Sequence, residues 1–174
     1  MSTCIIIPCY NEEKRLDANR FTDFLADNPQ IHIFFVNDGS KDRTAEILDS
    51  HFESNKQVRH ITLEKNVGKG EAIRKAVLVA CKQEYDFIGY FDADLSTDLS
   101  EIFRMLEVFK VNPSIQFVMG SRVAKLGNNI NRRLFQHWRG RLAATFIDSF
   151  YLKIMVYDTQ CGCLLYTSPS PRDA

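Results

Sequence analysis

Ile31-His32-Ile33-Phe34-Phe35-Val36-Asn37-Asp38-Gly39-Ser40-Lys41-Asp42-Arg43-Thr44 contains an apolar run, a turn and the start of a helix. Ile31–Val36 is continuous and rich in β-branched and aromatic residues, which suits a strand buried on both faces, as in a parallel sheet. Asp42–Phe52 then places Ala45, Ile47, Leu48 and Phe52 near one helical face, with Asp42 as the expected N-cap. The same unit recurs on either side. Thr3–Ile7, Val58–Leu63, Phe87–Phe91 and Ile115–Met119 read as further strands. Gly68–Cys81 reads as a helix through Ala72, Ile73, Ala76, Val77 and Ala80. Asp98–Val111 does so through Leu99, Ile102, Phe103, Leu106 and Phe109, and Pro113 stops it. Alternation at this spacing predicts βαβ units and a three-layer, open, mostly parallel α/β sheet. Ligands of such sheets bind beyond the carboxyl ends of the strands.

The length of 174 residues fits one domain, and 45% hydrophobic with 25% charged residues is the balance of a globular chain. Equal numbers of basic and acidic residues, 22 each, exclude a globally basic nucleic-acid binder. Five cysteines without a Cys-x-x-Cys pair argue against a disulfide framework or zinc site and for a reducing compartment. The start lacks the basic region and long apolar run of a signal peptide. Phe146–Tyr157, interrupted by Asp148 and Lys153, is too short to cross a bilayer. Cys163–Ala174 is turn-rich and without period, and Cys163–Asp173 resembles the translation of a transposon-type sequencing adapter. The expectation is therefore a domain at 1–162, incomplete at its C-terminus, and a disordered non-native tail at 163–174. A genuine tail is the other reading.

Acidic residues at strand ends carry the chemistry. Asp92-Ala93-Asp94 leaves the Phe87–Phe91 strand with two carboxylates able to reach one hard divalent cation, Mg²⁺ or Mn²⁺. Taken alone, the pair also fits solvated loop carboxylates. A phosphatase with a nucleophilic first Asp is disfavoured by Ser96 and by the motif's late place in the chain. Asp38 precedes its turn, so capping does not require it, and its carboxylate can accept from a base or ribose. Pro8-Cys9-Tyr10-Asn11-Glu12 follows the first strand. Tyr10 offers a face for a nucleobase and Glu12 an acceptor for ribose hydroxyls, unless the segment is simply a turn. Asn66-Val67-Gly68-Lys69-Gly70 fails the P-loop and dinucleotide patterns at Leu63, Gly70 and Ile73. What remains is a Gly-rich helix start with Lys69, fit to face an anion or to allow close packing. Gly120-Ser121-Arg122 puts an Arg at the fifth strand's end, where it can pair with phosphate or lie on the surface. Asn131–Tyr157 reads as a helix with Phe135, Trp138, Leu142, Phe146 and Phe150 on its apolar side. Arg132, Arg133, Arg139 and Arg141 beside them form either a solvated face or a contact for phosphates or an anionic membrane.

Together and in this order, these motifs resemble the family 2 glycosyltransferases, which have the nucleotide-diphospho-sugar transferase (GT-A) fold. The resemblance covers residues 3–162. Asp158-Thr159-Gln160-Cys161-Gly162 is similar to the polyprenyl-phosphate branch, most of all the dolichyl-phosphate β-glucosyltransferases, though Cys163 and Leu164 interrupt the motif where the family has Lys and Phe. The resemblance implies that Pro8, Tyr10, Glu12, Val36, Asp38 and Lys69 bind the nucleotide-sugar donor. Asp92, Ala93 and Asp94 would line its diphosphate, with Asp94 the main ligand of Mg²⁺ or Mn²⁺ and Asp92 assisting. Arg122 would pair with donor or acceptor phosphate, and Asp158 would lie near the acceptor. Asn37 stands where many relatives carry Asp. The implied activity is inverting transfer of a hexose, UDP-glucose favoured as donor, to a polyprenyl phosphate, by an enzyme peripheral at the cytoplasmic face of a membrane. Alternatives are a family 2 transferase with a saccharide hydroxyl acceptor, for which Asp158 would be the base, and a non-catalytic nucleotide-sugar-binding protein.

Overall fold

The computed structural model describes residues 1–120 and 163–166. In chain order the elements are β1 (Thr3–Cys9), α1 (Ala18–Asp27), β2 (Ile31–Asn37), α2 (Thr44–Phe52) and β3 (Val58–Thr62). They continue with α3 (Lys69–Ala80), β4 (Phe87–Tyr90), α4 (Glu101–Val111), β5 (Phe117–Met119) and β6 (Cys163–Tyr166). The sheet runs in the order β3-β2-β1-β4-β6-β5. β1 to β4 are mutually parallel and β6 runs antiparallel to β4. Apart from Met119 at the end of β5, these elements belong to a compact unit formed by Met1–Val118 with Gly162–Ala174. Of a second unit, Met119–Cys161, only Met119 and Gly120 are among the described residues.

Strand alternation sorts the core into two layers. Ile5, Ile7, Ile33, Phe35 and Phe87 join Phe21 and Leu25 of α1, Leu48 and Phe52 of α2, and Ile102 and Phe109 of α4. Phe35 anchors this side, with the Phe21 ring edge-on at 5.1 Å and the Phe52 ring stacked at 5.0 Å. Cys4, Ile6, Phe34, Val36 and Ile88 face the other way, against Ala72, Ala76 and Ala80 of α3. An alanine every fourth residue gives α3 a narrow stripe that seats it close to the sheet.

The chain steps from β1 out to β2 and β3, then returns to the opposite side of β1 as β4. This reversal leaves a crevice at the carboxyl ends of β1 and β4, where open α/β sheets take their ligands. The register sets the ends side by side: Cys9 lies opposite Asn37 on one flank of β1, and Ile6 opposite Tyr90 on the other.

Several expectations change. α1 was not anticipated, although Ala18, Phe21 and Leu25 are buried at helical spacing and Asp17 caps it, accepting from the Arg20 amide at 3.2 Å. β3 is only half-buried, because it is the edge of the sheet rather than an inner strand. α2 begins at Thr44 with Arg43 at the N-cap, so Asp42 sits one residue ahead of the cap and takes the Thr44 amide in a turn. The disorder expected from residue 163 does not extend to Cys163–Tyr166. This short apolar run pairs with the free edge of β4, Cys163 opposite Tyr90 and Tyr166 opposite Phe87, and so satisfies backbone groups that an open edge leaves unpaired. Arg122, Asp158, the segment Asn131–Tyr157 and residues 167–174 lie outside the described residues. Among the described residues no helix is long and apolar enough to cross a membrane.

Candidate functional site

The loops after β1, β2 and β4 and the start of α3 line one cleft of about 320 Å³. β1 and its loop supply Pro8, Tyr10 and Glu12, β2 supplies Asp38, α3 supplies Lys69, and the β4 end supplies Asp92, Ala93 and Asp94. The residues singled out from sequence therefore converge, with one exception among those described. Val36 does not line the cleft: its side chain is fully buried in the core against α3, because strand alternation points it into the layer. Cys9, Arg15 and Asn66 line the cleft without having been foreseen as site residues. Arg15 had a signal in its spacing, three residues after Glu12, whose Oε1 accepts from its guanidinium at 2.6 Å.

Asp38 is 2% exposed, and both its oxygens hold backbone. Oδ1 accepts from the Val67 amide at 2.8 Å and Oδ2 from the Gly68 amide at 2.9 Å. The next residue, Gly39, has φ +65, and a Cβ there would stand 2.5 Å from the Lys65 carbonyl carbon. The turn after β2 thus packs directly on the loop that leads into α3 and sets where Lys69 begins the helix. Asp38 shapes the floor of the cleft, a role not anticipated for it.

A second set of bonds fixes the loop after β1. Asn11, at φ +53, donates its amide to Ser40 Oγ and accepts the Lys41 amide on Oδ1 at 2.9 Å. The Glu12 amide donates to Thr44 Oγ1 and the Glu13 amide to Asp42 Oδ2. The Arg43 guanidinium donates through both Nε and Nη2 to Glu13 Oε1. These contacts hold Tyr10, 41% exposed, and the Glu12 side chain at the cleft mouth.

Glu12 is the cleft carboxylate that keeps a buried oxygen without a partner. Its side chain is 12% exposed, and that oxygen is Oε2. Burial raises its pKa above the ordinary glutamate value, the Arg15 ion pair opposes the rise, and Asp94 and Asp42 add to it. An unpartnered buried acceptor beside a cleft is suited to a ligand hydroxyl. Asp94 is exposed and accepts the Ser96 amide at 3.0 Å. It precedes Leu95 at φ +52, a left-handed conformation that is strained for a branched side chain. The Lys69 ammonium donates to Asp92 Oδ1 at 2.5 Å and lies 5.7 Å from the centroid of the Tyr90 ring.

Four carboxylates line the cleft (Glu12, Asp38, Asp92 and Asp94) against two basic groups, Arg15 and Lys69. Among the described residues no group of three His, Cys, Asp or Glu could hold a metal unaided. Asp92 and Asp94 form an all-oxygen, two-carboxylate set, which suits Mg²⁺ or Mn²⁺ when water and substrate phosphates complete the shell. The donor chemistry fits such an ion.

The sequence pattern of glycosyl transferase family 2 matches residues 4–169. The chain belongs to glycosyl transferase family 2. This family 2 chain is 31% identical over 185 residues to a dolichyl-phosphate β-glucosyltransferase of Trichomonas vaginalis, taking in 98% of this chain and 53% of the relative. It is 33% identical over 116 residues to a poly-β-1,6-N-acetyl-D-glucosamine synthase of Staphylococcus epidermidis, taking in 67% of this chain and 27% of the relative. The family 2 chain thus spans about half the length of the first relative and about a quarter of the second. A solved structure of glucosyl-3-phosphoglycerate synthase from Mycobacterium tuberculosis, in complex with Mn²⁺, UDP-glucose and phosphoglyceric acid, is alike in fold. The TM-score is 0.63 at 16% identity, over 95% of this chain and 56% of that one. The fold is GT-A.

Proposed function

We propose that this family 2 domain is the donor-binding part of an inverting glycosyltransferase that moves a hexose from a nucleotide sugar, UDP-glucose first among candidates, to a polyprenyl phosphate. The observation that carries the reading is the convergence of Tyr10, Glu12, Lys69, Asp92 and Asp94 on one cleft at the carboxyl edge of β1 and β4. Tyr10 presents a ring for the base, Glu12 Oε2 an acceptor for ribose, and Lys69 a cation for the diphosphate. A cleft with four carboxylates against two basic groups repels a diphosphate unless more positive charge arrives. Asp94, with Asp92 assisting, would hold the divalent cation that supplies it. That cation offsets the charge growing on the departing nucleoside diphosphate.

In the proposed reaction a phosphate oxygen of the lipid attacks the anomeric carbon in line as the bond to the nucleoside diphosphate breaks. That oxygen is already anionic at neutral pH, so no general base is needed. Arg122 is assigned to a phosphate and Asp158 to the acceptor side. The lipid acceptor calls for a peripheral position at the cytoplasmic face of a membrane, with the basic segment Asn131–Tyr157 as contact. The similarity to the dolichyl-phosphate relative supports this acceptor. The similarity to the poly-N-acetylglucosamine synthase supports a saccharide hydroxyl instead, with Asp158 as base.

The test incubates the protein with radiolabelled UDP-glucose or GDP-mannose, a polyprenyl phosphate and Mg²⁺ or Mn²⁺, and counts label in the organic extract. Metal-dependent lipid-soluble label is expected. Label appearing only on an added saccharide moves the enzyme to the hydroxyl-acceptor reading. No transfer and no nucleotide binding overturns both.

A further inference from the structure

The Lys69–Asp92 contact joins two residues that the proposed function assigns to different partners, the diphosphate and the metal. Asp92 Oδ1 already accepts from the Lys69 ammonium at 2.5 Å. Asp94 Oδ1 already accepts the Ser96 amide. One oxygen of each carboxylate is thereby committed, and the commitment of Asp92 is to a full positive charge. A dication approaching Asp92 meets both a neutralised ligand and a like charge.

The ammonium is also placed to leave. The Lys69 side chain is 49% exposed, on a long flexible stem rooted at the first residue of α3. Gly68, the N-cap of α3, has no side chain to cap the helix, and Asp38 takes only the Val67 and Gly68 amides that precede Lys69, so the first turn of α3 has no side-chain cap. An anion arriving at that end gives Lys69 a more highly charged partner than Asp92 while it stays on the same helix turn.

We propose that Lys69 is an exchangeable counterion that makes divalent-metal binding at Asp92 conditional on the donor diphosphate. Without nucleotide, Lys69 satisfies Asp92 and keeps the metal affinity low. The diphosphate draws Lys69 away, and Asp92 becomes available at the moment the substrate oxygens that complete the ion's shell arrive. This rests on the donor-site reading above and adds to it an order of binding.

The experiment is a Mn²⁺ titration of the 174-residue chain, read by the electron paramagnetic resonance signal of free Mn²⁺, with and without UDP. Wild type, Lys69→Met and Lys69→Arg are compared, and circular dichroism confirms that each is folded. Wild type should bind Mn²⁺ at least about tenfold more tightly with UDP present. Lys69→Met should bind Mn²⁺ without UDP about tenfold more tightly than wild type, the scale expected for removing one charge a few ångströms from a dication in a water-like dielectric. Lys69→Arg, which keeps the charge, should behave as wild type. If Lys69→Met gains no Mn²⁺ affinity in the absence of UDP while UDP still recruits Mn²⁺ to wild type, the counterion role is overturned and the donor site stands. If UDP recruits no Mn²⁺ to any form, the donor-site reading falls and the counterion role falls with it.

Discussion

Asp38 grips the Gly68 amide at 2.9 Å with one carboxylate oxygen while the other takes the Val67 amide at 2.8 Å. A residue at the end of β2 therefore fixes the start of α3. Asp38→Ala leaves two backbone donors without their acceptor, in a region the side chain had kept from water. The expected loss is about 1–3 kcal/mol in urea unfolding. UDP affinity should fall as well, because Lys69 is displaced with the loop. Asp38→Asn should recover only part of the stability, since one of its two side-chain atoms is itself a donor. Full stability in Asp38→Ala would show that the loop holds without it.

Gly39 and Gly68 both have positive φ, yet they should respond differently to alanine. A Cβ at Gly39 meets the Lys65 backbone at 2.5 Å, whereas a Cβ at Gly68 has nothing within 4 Å. Gly68→Ala should cost about 1–3 kcal/mol from backbone conformation alone. Gly39→Ala carries that strain and a backbone clash together, so it should unfold at clearly lower urea. Equal midpoints would mean that the 65–68 loop gives way freely.

The alternation of short apolar runs and amphipathic segments made the layered parallel sheet legible, because fully buried strands cannot avoid runs such as Ile5-Ile6-Ile7 or Phe34-Phe35-Val36. The cleft was legible for a related reason: Tyr10, Asp38 and Asp92 each stand just past such a run. α1 was legible too, since Ala18, Phe21 and Leu25 recur at helical spacing behind a capping Asp17. Other features were hidden. Val36, which the family resemblance implies as a donor contact, has its side chain buried in the layer against α3, an orientation set by the strand's alternation rather than by the motif beside it. The double grip of Asp38 on a segment some thirty residues later follows from tertiary approach alone.

The clasp between the β1 and β2 loops should make itself felt in acid. Partial burial would raise the Asp42 pKa, but hydrogen bonds from Thr44 and from the Glu13 amide outweigh it, and the net shift is below the usual 3.8. A depressed carboxylate contributes stability that is present above its unfolded value and is lost as pH falls through the folded value. Melting temperature should therefore separate wild type from Asp42→Asn at pH 6, and the gap should close as pH drops below about 3. A gap that stays constant down to that pH would remove Asp42 from the clasp.

Asp94→Ala should leave the fold intact, since the side chain is exposed, and should abolish metal-dependent transfer by roughly a hundredfold or more. Thermal melting and turnover read on the same sample separate the two effects. Turnover at the wild-type rate would sink the assignment of Asp94 as metal ligand.

Glu12 gives the opposite sign to Asp42. Burial raises its pKa above 4.5 against the pull of Arg15. A raised carboxylate contributes stability that is fully present below the unfolded value and is lost as pH rises through the folded value. At neutral pH the ionised Glu12, with Oε2 buried and unpartnered, is therefore held in the fold at a cost. Glu12→Gln removes the charge and keeps the shape, so it should melt at or above the wild-type temperature at pH 7 and lose that advantage near pH 4. The exposed partner of its ion pair, Arg15, weighs little against this. The same variant should bind UDP more weakly, because an amide is a poorer acceptor for ribose hydroxyls than a carboxylate. Gained stability with lost affinity would identify Glu12 as a binding group strained for function. A variant less stable than wild type at pH 7 would make it a structural one.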